Sequence, residues 1–444
     1  MKLNSQNKTV ISNILGAFAV KGGALIISVL LLPAYLAFFD NQAVLGIWYT
    51  ILSILNWIII FDLGLGQGLR NQLPGAIEVK NTKMIKECIS TTYILMTILT
   101  AALCVIGLVV IPYVNWNRVF NVSAEIVGNA TLSTCVRIVF GGIMLQMALK
   151  IITSILYAYQ KSAVVNVLGL ASNVLIYLFL LIMPSKDITT NLVTMSVVNV
   201  VAANLPYVIC TVVVFATFLK DAAPSIKAFS AKYIKDIFNV GLTLLWLQIV
   251  FMVVSSVNEF LITSFSGPEY VVEYQAYYKI FKTAAMLVSL ALTPIWSAVT
   301  RAQAQKNYAW IQKVYKIFLG LAGICLIGEL CIVPMLQWVF NIWLGESTVA
   351  ANTGYAFIFV LSSVIFVLHN INTSIGNGMS YFRIQAIWMT VAAVVFVPLA
   401  YLFVKMSGSW IGVVIANVVA MLPYEVLSPI FTMKHIKKIS RETK

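Results

Sequence analysis

Residues Ile89–Pro112 read ISTTYILMTILTAALCVIGLVVIP, 24 positions without one charged side chain. Wound as a helix at 1.5 Å per residue, such a run is long enough to cross the roughly 30 Å hydrocarbon core of a bilayer. It is not alone. Across the 444 residues, 61% are hydrophobic and 10% are charged, against roughly 45–50% and about 25% in a soluble domain. The chain is too apolar to hide its surface from water in a soluble fold, so lipid is its solvent.

Twelve such runs can be marked. The first six are approximately Ile11–Phe38, Val44–Gly64, Ile89–Pro112, Asn129–Tyr157, Val164–Pro184 and Val193–Leu219. The second six are approximately Phe238–Ile262, Glu273–Val299, Val314–Met335, Ala351–Ile375, Gln385–Lys405 and Ile411–Phe431. The first contains Lys21, is too long for a signal peptide and lacks a small-residue cleavage site. With the N-terminus inside, only Arg118, Lys186 and Lys405 fall on the outer side. The other loop cations, including Arg70, Lys80, Lys83, Lys86, Arg301, Arg383 and the cluster Lys434–Lys444, fall on the cytoplasmic side. The positive-inside rule therefore sets an even number of spans with both termini cytoplasmic.

The basic stretch Lys220–Asp236 separates six spans from six. The expected organisation is an N-terminal lobe over 1–219, a cytoplasmic linker over 220–236, and a C-terminal lobe over 237–444 with a basic tail. Ile47–Arg70 aligns without gaps on Tyr278–Arg301, each leaving its span at an arginine, as parallel repeats would. The six cysteines form no CxxC pair and read as reduced core residues rather than a metal site. The formal charge of +14 is dispersed over short loops, which argues against nucleic acid as a partner.

Five cations fall inside spans: Lys21, Arg137, Lys150, Lys279 and Lys282. At about 2.5–3.5 kcal/mol each at a helix centre, all five facing lipid would cost on the order of 12–18 kcal/mol. They must line a wet cavity, pair with acids or snorkel to an interface. Lys279 and Lys282 share a helix face. Lys150 is near enough to the cytoplasmic end to snorkel. Of the acids, Asp62 and Glu259 sit near span ends. Glu329 and Glu425 lie deeper, where each either pairs with a cation or titrates as an ion-coupling site. His369 reads as a hydrogen-bonded packing residue. The excess of cations favours an anionic passenger, phosphate first. No GxSxG, HExxH or Walker loop is present, and no cofactor is implied.

The segment Phe61-Asp62-Leu63-Gly64-Leu65-Gly66-Gln67-Gly68-Leu69-Arg70-Asn71-Gln72-Leu73 resembles the close of the second span in bacterial polysaccharide exporters, the Wzx-type O-antigen and capsule flippases of the multidrug/oligosaccharidyl-lipid/polysaccharide exporter superfamily. Thr293-Pro294-Ile295-Trp296-Ser297, Asn341-Ile342-Trp343-Leu344-Gly345, and Asn377-Gly378 with Arg383 and Gln385 resemble further family segments. The resemblance implies an all-α membrane protein of twelve helices in two six-helix lobes around a central cavity, in the bacterial cytoplasmic membrane. It implies alternating access and a passenger of undecaprenyl-diphosphate-linked oligosaccharide, with polysaccharide polymerase and chain-length regulator as partners beside membrane lipid. On that pattern Lys21, Lys279 and Lys282 flank the portal. The glycines Gly64, Gly66 and Gly68 each lower helix propensity by roughly 1 kcal/mol and would let the chain break at the membrane surface, where Arg70 can reach headgroups. The alternatives are a cation-coupled drug antiporter, a peptidoglycan-precursor flippase and, from another class, a membrane glycosyltransferase or polymerase.

Overall fold

The computed structural model describes the backbone of residues 5–442 apart from 61–63, 160, 236–245, 247–248, 347, 380 and 382. The chain divides into two compact units, Met1–Ile249 and Val250–Lys444. The described residues are helical with connecting turns and contain no strand.

The first unit holds α1 (Ser5–Phe39), α2 (Gln42–Ile60), α3 (Leu65–Glu78), α4 (Thr82–Val110), the single turn α5 (Trp116–Val119), α6 (Asn129–Leu149), α7 (Ile151–Ala158), α8 (Ser162–Ile182) and α9 (Ile188–Ala216). Helices start where a polar cap meets an apolar run. Asn81 Oδ1 accepts from Met84 N at 3.0 Å, and Asp187 Oδ1 accepts from Thr190 N at 3.0 Å. Inside the bilayer no water satisfies a hydroxyl, so the threonines of α4 bond back to their own helix: Thr92 to Cys88 O, Thr97 to Tyr93 O and Thr100 to Met96 O. Gly142 lets α9 approach α6. A Cβ there would collide with Val200, and Asn204 Nδ2 reaches the Gly142 carbonyl at 3.1 Å.

The second unit holds α10 (Asn258–Phe265), α11 (Glu269–Ala304), α12 (Tyr308–Ile332), α13 (Leu336–Leu344), α14 (Thr353–Gly378), α15 (Arg383–Ser407) and α16 (Ile411–Glu442). Its core joins α11, α12, α14 and α16 through Ala285, Leu292, Tyr315, Ile371 and Ile436. In both units large apolar side chains stand uncovered by protein, as Leu108 (68%), Ile182 (74%) and Val394 (69%) do. A soluble surface would not carry such stripes along whole helices, and lipid is the medium that covers them.

Ten described segments are long and apolar enough to cross a membrane; they coincide with the first six and the last four of the expected runs. The eighth run is the 36-residue α11. The seventh lies largely outside the described residues. Its described part is helical over 249–255, breaks at Ser256–Val257 and resumes as α10, so it is not the single helix expected through Ile262. The Val254 carbonyl beside the break accepts a hydrogen bond from Asn417 Nδ2 of α16.

Four local details add to the sequence reading. The fourth run is interrupted at Lys150, which follows α6 and precedes α7. The glycine run does not open as a whole. Gly64 alone is left-handed (φ 72°) and caps α3, while Gly66 and Gly68 continue as buried helix. Asp62 lies outside the described residues. The basic stretch expected as a linker docks on the first unit as three short turns: Ser225 N and Ser230 N donate to Ser90 Oγ and Thr91 Oγ1 at 3.0 Å each, and Lys232 Nζ meets Glu87 Oε2 at 3.1 Å. Finally, the basic tail is the last turns of α16 itself, which continues past Phe431 to Glu442.

Candidate functional site

In the first unit the cations sit at helix surfaces. Lys21 is half-buried on α1, the helix that packs on α8. Arg137 is exposed on α6, and its guanidinium donates to Ser133 Oγ one turn earlier at 3.1 and 3.4 Å. Lys150 is half-buried at the α6–α7 junction, where its carbonyl accepts from Thr153 Oγ1 at 2.7 Å. Arg70, exposed on α3, lays its guanidinium 4.3 Å from the centroid of the Tyr157 ring on α7. That stacking pins the helix after the glycine turn against its neighbour.

The second unit handles charge differently. Lys279 and Lys282 are one turn apart on α11, and both are half-buried. Lys282 Nζ stands 3.1 Å from the Phe366 ring centroid and 5.3 Å from that of Tyr278. Aromatic faces partly replace the hydration an ammonium gives up. The Glu259 carboxylate, fixed by a 2.9 Å bond from Gln275 Nε2, lies within electrostatic reach of both lysines. Two ammonium groups thus stand near one carboxylate.

The deeper acids do not neutralise these cations. Glu329 on α12 is 1% exposed. Its Oε1 lies 2.5 Å from Ser363 Oγ and accepts from Cys325 Sγ at 3.5 Å, while Oε2 has no partner. Ser363 Oγ is also 3.0 Å from the Phe281 carbonyl. A hydroxyl has one proton to give. If it goes to the carbonyl, the short contact to Glu329 needs a proton on the carboxyl, which also suits an oxygen buried without a donor.

Glu425 on α16 is 2% exposed. Its Oε1 is 3.1 Å from His369 Nδ1, and its Oε2 accepts from Asn372 Nδ2 at 2.7 Å. Asn372 Oδ1 in turn accepts from Tyr315 OH at 2.6 Å. The His369 ring stacks on Phe251 with centroids 4.9 Å apart. A continuous hydrogen-bonded chain therefore links α14, α16 and α12. His369 is hydrogen-bonded, as its position in the sequence led one to expect, but its partner is the very acid marked for ion coupling.

The residues that complete these clusters, Tyr315, Ser363, Phe366 and Asn372, were not singled out from sequence. A signal did exist for one of them: His369-Asn370-Ile371-Asn372-Thr373-Ser374 is a polar run inside an apolar span.

No family model and no curated protein matches the sequence. Solved structures do match over nearly the whole chain. An inward-facing multidrug resistance MATE family transporter of the MOP superfamily gives a TM-score of 0.76 at 16% identity, covering 94% of this chain and 95% of that one. A MATE protein in complex with MaD3S gives 0.64 at 15% identity, covering 96% of each chain. An outward-facing multidrug resistance MATE family transporter gives 0.61 at 16%, again covering 96% of each. The chain is a multi-pass membrane protein with the fold of these transporters.

Proposed function

We propose that this protein is a flippase that moves undecaprenyl-diphosphate-linked oligosaccharide repeat units from the cytoplasmic to the outer leaflet by alternating access, for surface polysaccharide synthesis. The observation that carries the reading is the Lys279–Lys282 pair on α11, while Glu329 and Glu425 are engaged by Ser363, Cys325, His369 and Asn372 rather than by lysine or arginine. Two ammonium groups beside the Glu259 carboxylate suit a diphosphate, whose oxygens accept several charge-assisted hydrogen bonds. Lys21, Arg137 and Lys150 add to the anion path. Glu329 and Glu425 are the groups through which an ion gradient would drive the cycle. Polymerase and chain-length regulator would take over the delivered unit.

The test is reconstitution in proteoliposomes with lipid-linked oligosaccharide, following its appearance on the far leaflet. The wild type flips it, whereas Lys21→Met and Arg137→Met insert normally and lose flipping. Unchanged flipping in both variants would sink the cationic path. A second reading, a drug antiporter, is favoured by the fold shared with multidrug resistance transporters. It predicts drug uptake by the same vesicles and no movement of the lipid.

A further inference from the structure

At one end of the second unit residues 265–266, 350–352 and 408–410, with Glu273 and Tyr355, line a cavity of 770 Å³. Small-molecule sites span roughly 300–1,000 Å³. By the positive-inside reading this is the outer end, since Lys405 is among the few cations there. The left-handed Gly408 (φ 62°) turns the chain sharply enough for Ser409 and Trp410 to enter the wall.

The lining is built rather than incidental. Trp410, 2% exposed, donates its indole Nε1–H to Glu273 Oε2 at 2.9 Å. That bond aims the carboxylate and leaves its other oxygen without a hydrogen bond. Tyr355 OH and Ser409 Oγ hold each other at 2.7 Å. The Tyr270 ring, 41% exposed, stands at the rim, and Lys405 lines the wall with its ammonium 4.6 Å from the Tyr401 ring centroid.

The chemistry selects among ligands. An apolar drug would want a wall like that of the 460 Å³ cavity of the first unit, lined by Ile51, Leu99, Leu103 and Phe140. A bare anion would meet Glu273, and a bare cation would meet Lys405. A zwitterionic lipid headgroup matches the charge pair but leaves the paired hydroxyls and the open ring unused. A saccharide uses everything: its hydroxyls donate to the free carboxylate oxygen and accept from the ammonium, while a C–H face of the ring covers Tyr270.

We infer that this pocket is a saccharide-binding site on the outer end of the second unit. Its role rests on the transport proposed above: the oligosaccharide head settles there on the far side, which holds it away from the return path. The occupant is the sugar, not the diphosphate, so the pocket binds oligosaccharide without lipid.

The experiment uses the full chain in lipid nanodiscs, probed with a printed panel of bacterial surface oligosaccharides free of lipid and with phosphatidylethanolamine-containing vesicles as the competitor class. The wild type binds one or more oligosaccharides. Glu273→Gln, which keeps an acceptor for Trp410, weakens that binding at least tenfold, and Tyr270→Ala does the same from the rim without touching the core. Absence of binding to the whole panel, binding unaltered in both variants, or displacement by the vesicles instead of by sugar would overturn the site. Flipping of lipid-linked oligosaccharide by the wild type with no saccharide binding removes this inference and leaves the flippase reading standing; saccharide binding without flipping does the reverse.

Discussion

The two units place polar groups inside the same apolar scaffold in opposite ways. In the first, Arg137 and Arg70 lie at helix surfaces, with a serine one turn away and a tyrosine ring as partners. The described buried polar residues there are neutral, such as Thr50, Asn191, Ser196 and Asn204. In the second, two acids and a histidine are almost wholly covered, and a hydrogen-bonded chain runs Tyr315–Asn372–Glu425–His369. A cation at a helix surface adds little to the stability of the packing. A buried acid must be fully partnered or neutral, so its protonation state is tied to the packing of three helices. The difference ties the charge state of the second unit's buried acids to the packing of its helices.

The contrast can be broken most severely at Glu425. Glu425→Ala leaves His369 and Asn372 without their acceptor in the core, and we expect a loss of about 3–5 kcal/mol, read as a large drop in thermal unfolding temperature of the purified protein. Arg137→Ala in the first unit should move the same temperature barely at all. Equal losses would erase the distinction. Lys282→Met comes next. Removing one charge-assisted contact worth about 1.5–3 kcal/mol should slow flipping roughly 10–100-fold, with unfolding unchanged or slightly raised because the ammonium no longer has to be buried. Tyr157→Leu in the first unit removes the face beneath Arg70 and should cost about 0.5–1 kcal/mol. The smallest effect belongs to Asp187, exposed at the start of α9. Its bonds from the Thr190 hydroxyl and amide hold its carboxyl below the usual aspartate range. Its folded pKa is depressed, so its contribution is present above the ordinary value near 4 and lost as pH falls through the lowered one. Asp187→Asn should flatten that acid limb of the unfolding curve.

Much of the architecture was legible because the bilayer imposes one rule: apolar runs of sufficient length are helices. Ile89–Pro112 became α4, and α14, α15 and α16 begin within three residues of the expected runs. What failed to read were interruptions inside apolar runs, at Lys150 and at Ser256–Val257, because hydropathy does not distinguish an interrupted helix from a continuous one. The proposed repeat is instructive in the same way. Ile47–Arg70 and Tyr278–Arg301 align in sequence, yet the first passes through a left-handed Gly64 into a separate helix while the second continues within α11. A glycine in the first that the second lacks at that place is a local difference with a large consequence for the backbone. The candidate charges were individually visible. Their partners were not, since Glu425 meets His369 from 56 positions away and Glu329 meets Ser363 from 34, and packing decides such pairs.

The central claim is the passenger, and it is tested most directly by deleting the gene in its host and assaying the orientation of undecaprenyl-linked oligosaccharide. The account predicts complete repeat units accumulating on the inner leaflet with surface polysaccharide lost, restored by the wild-type gene and not by the Lys282→Met variant. Normal surface polysaccharide together with altered drug tolerance would contradict it and assign the fold to drug export.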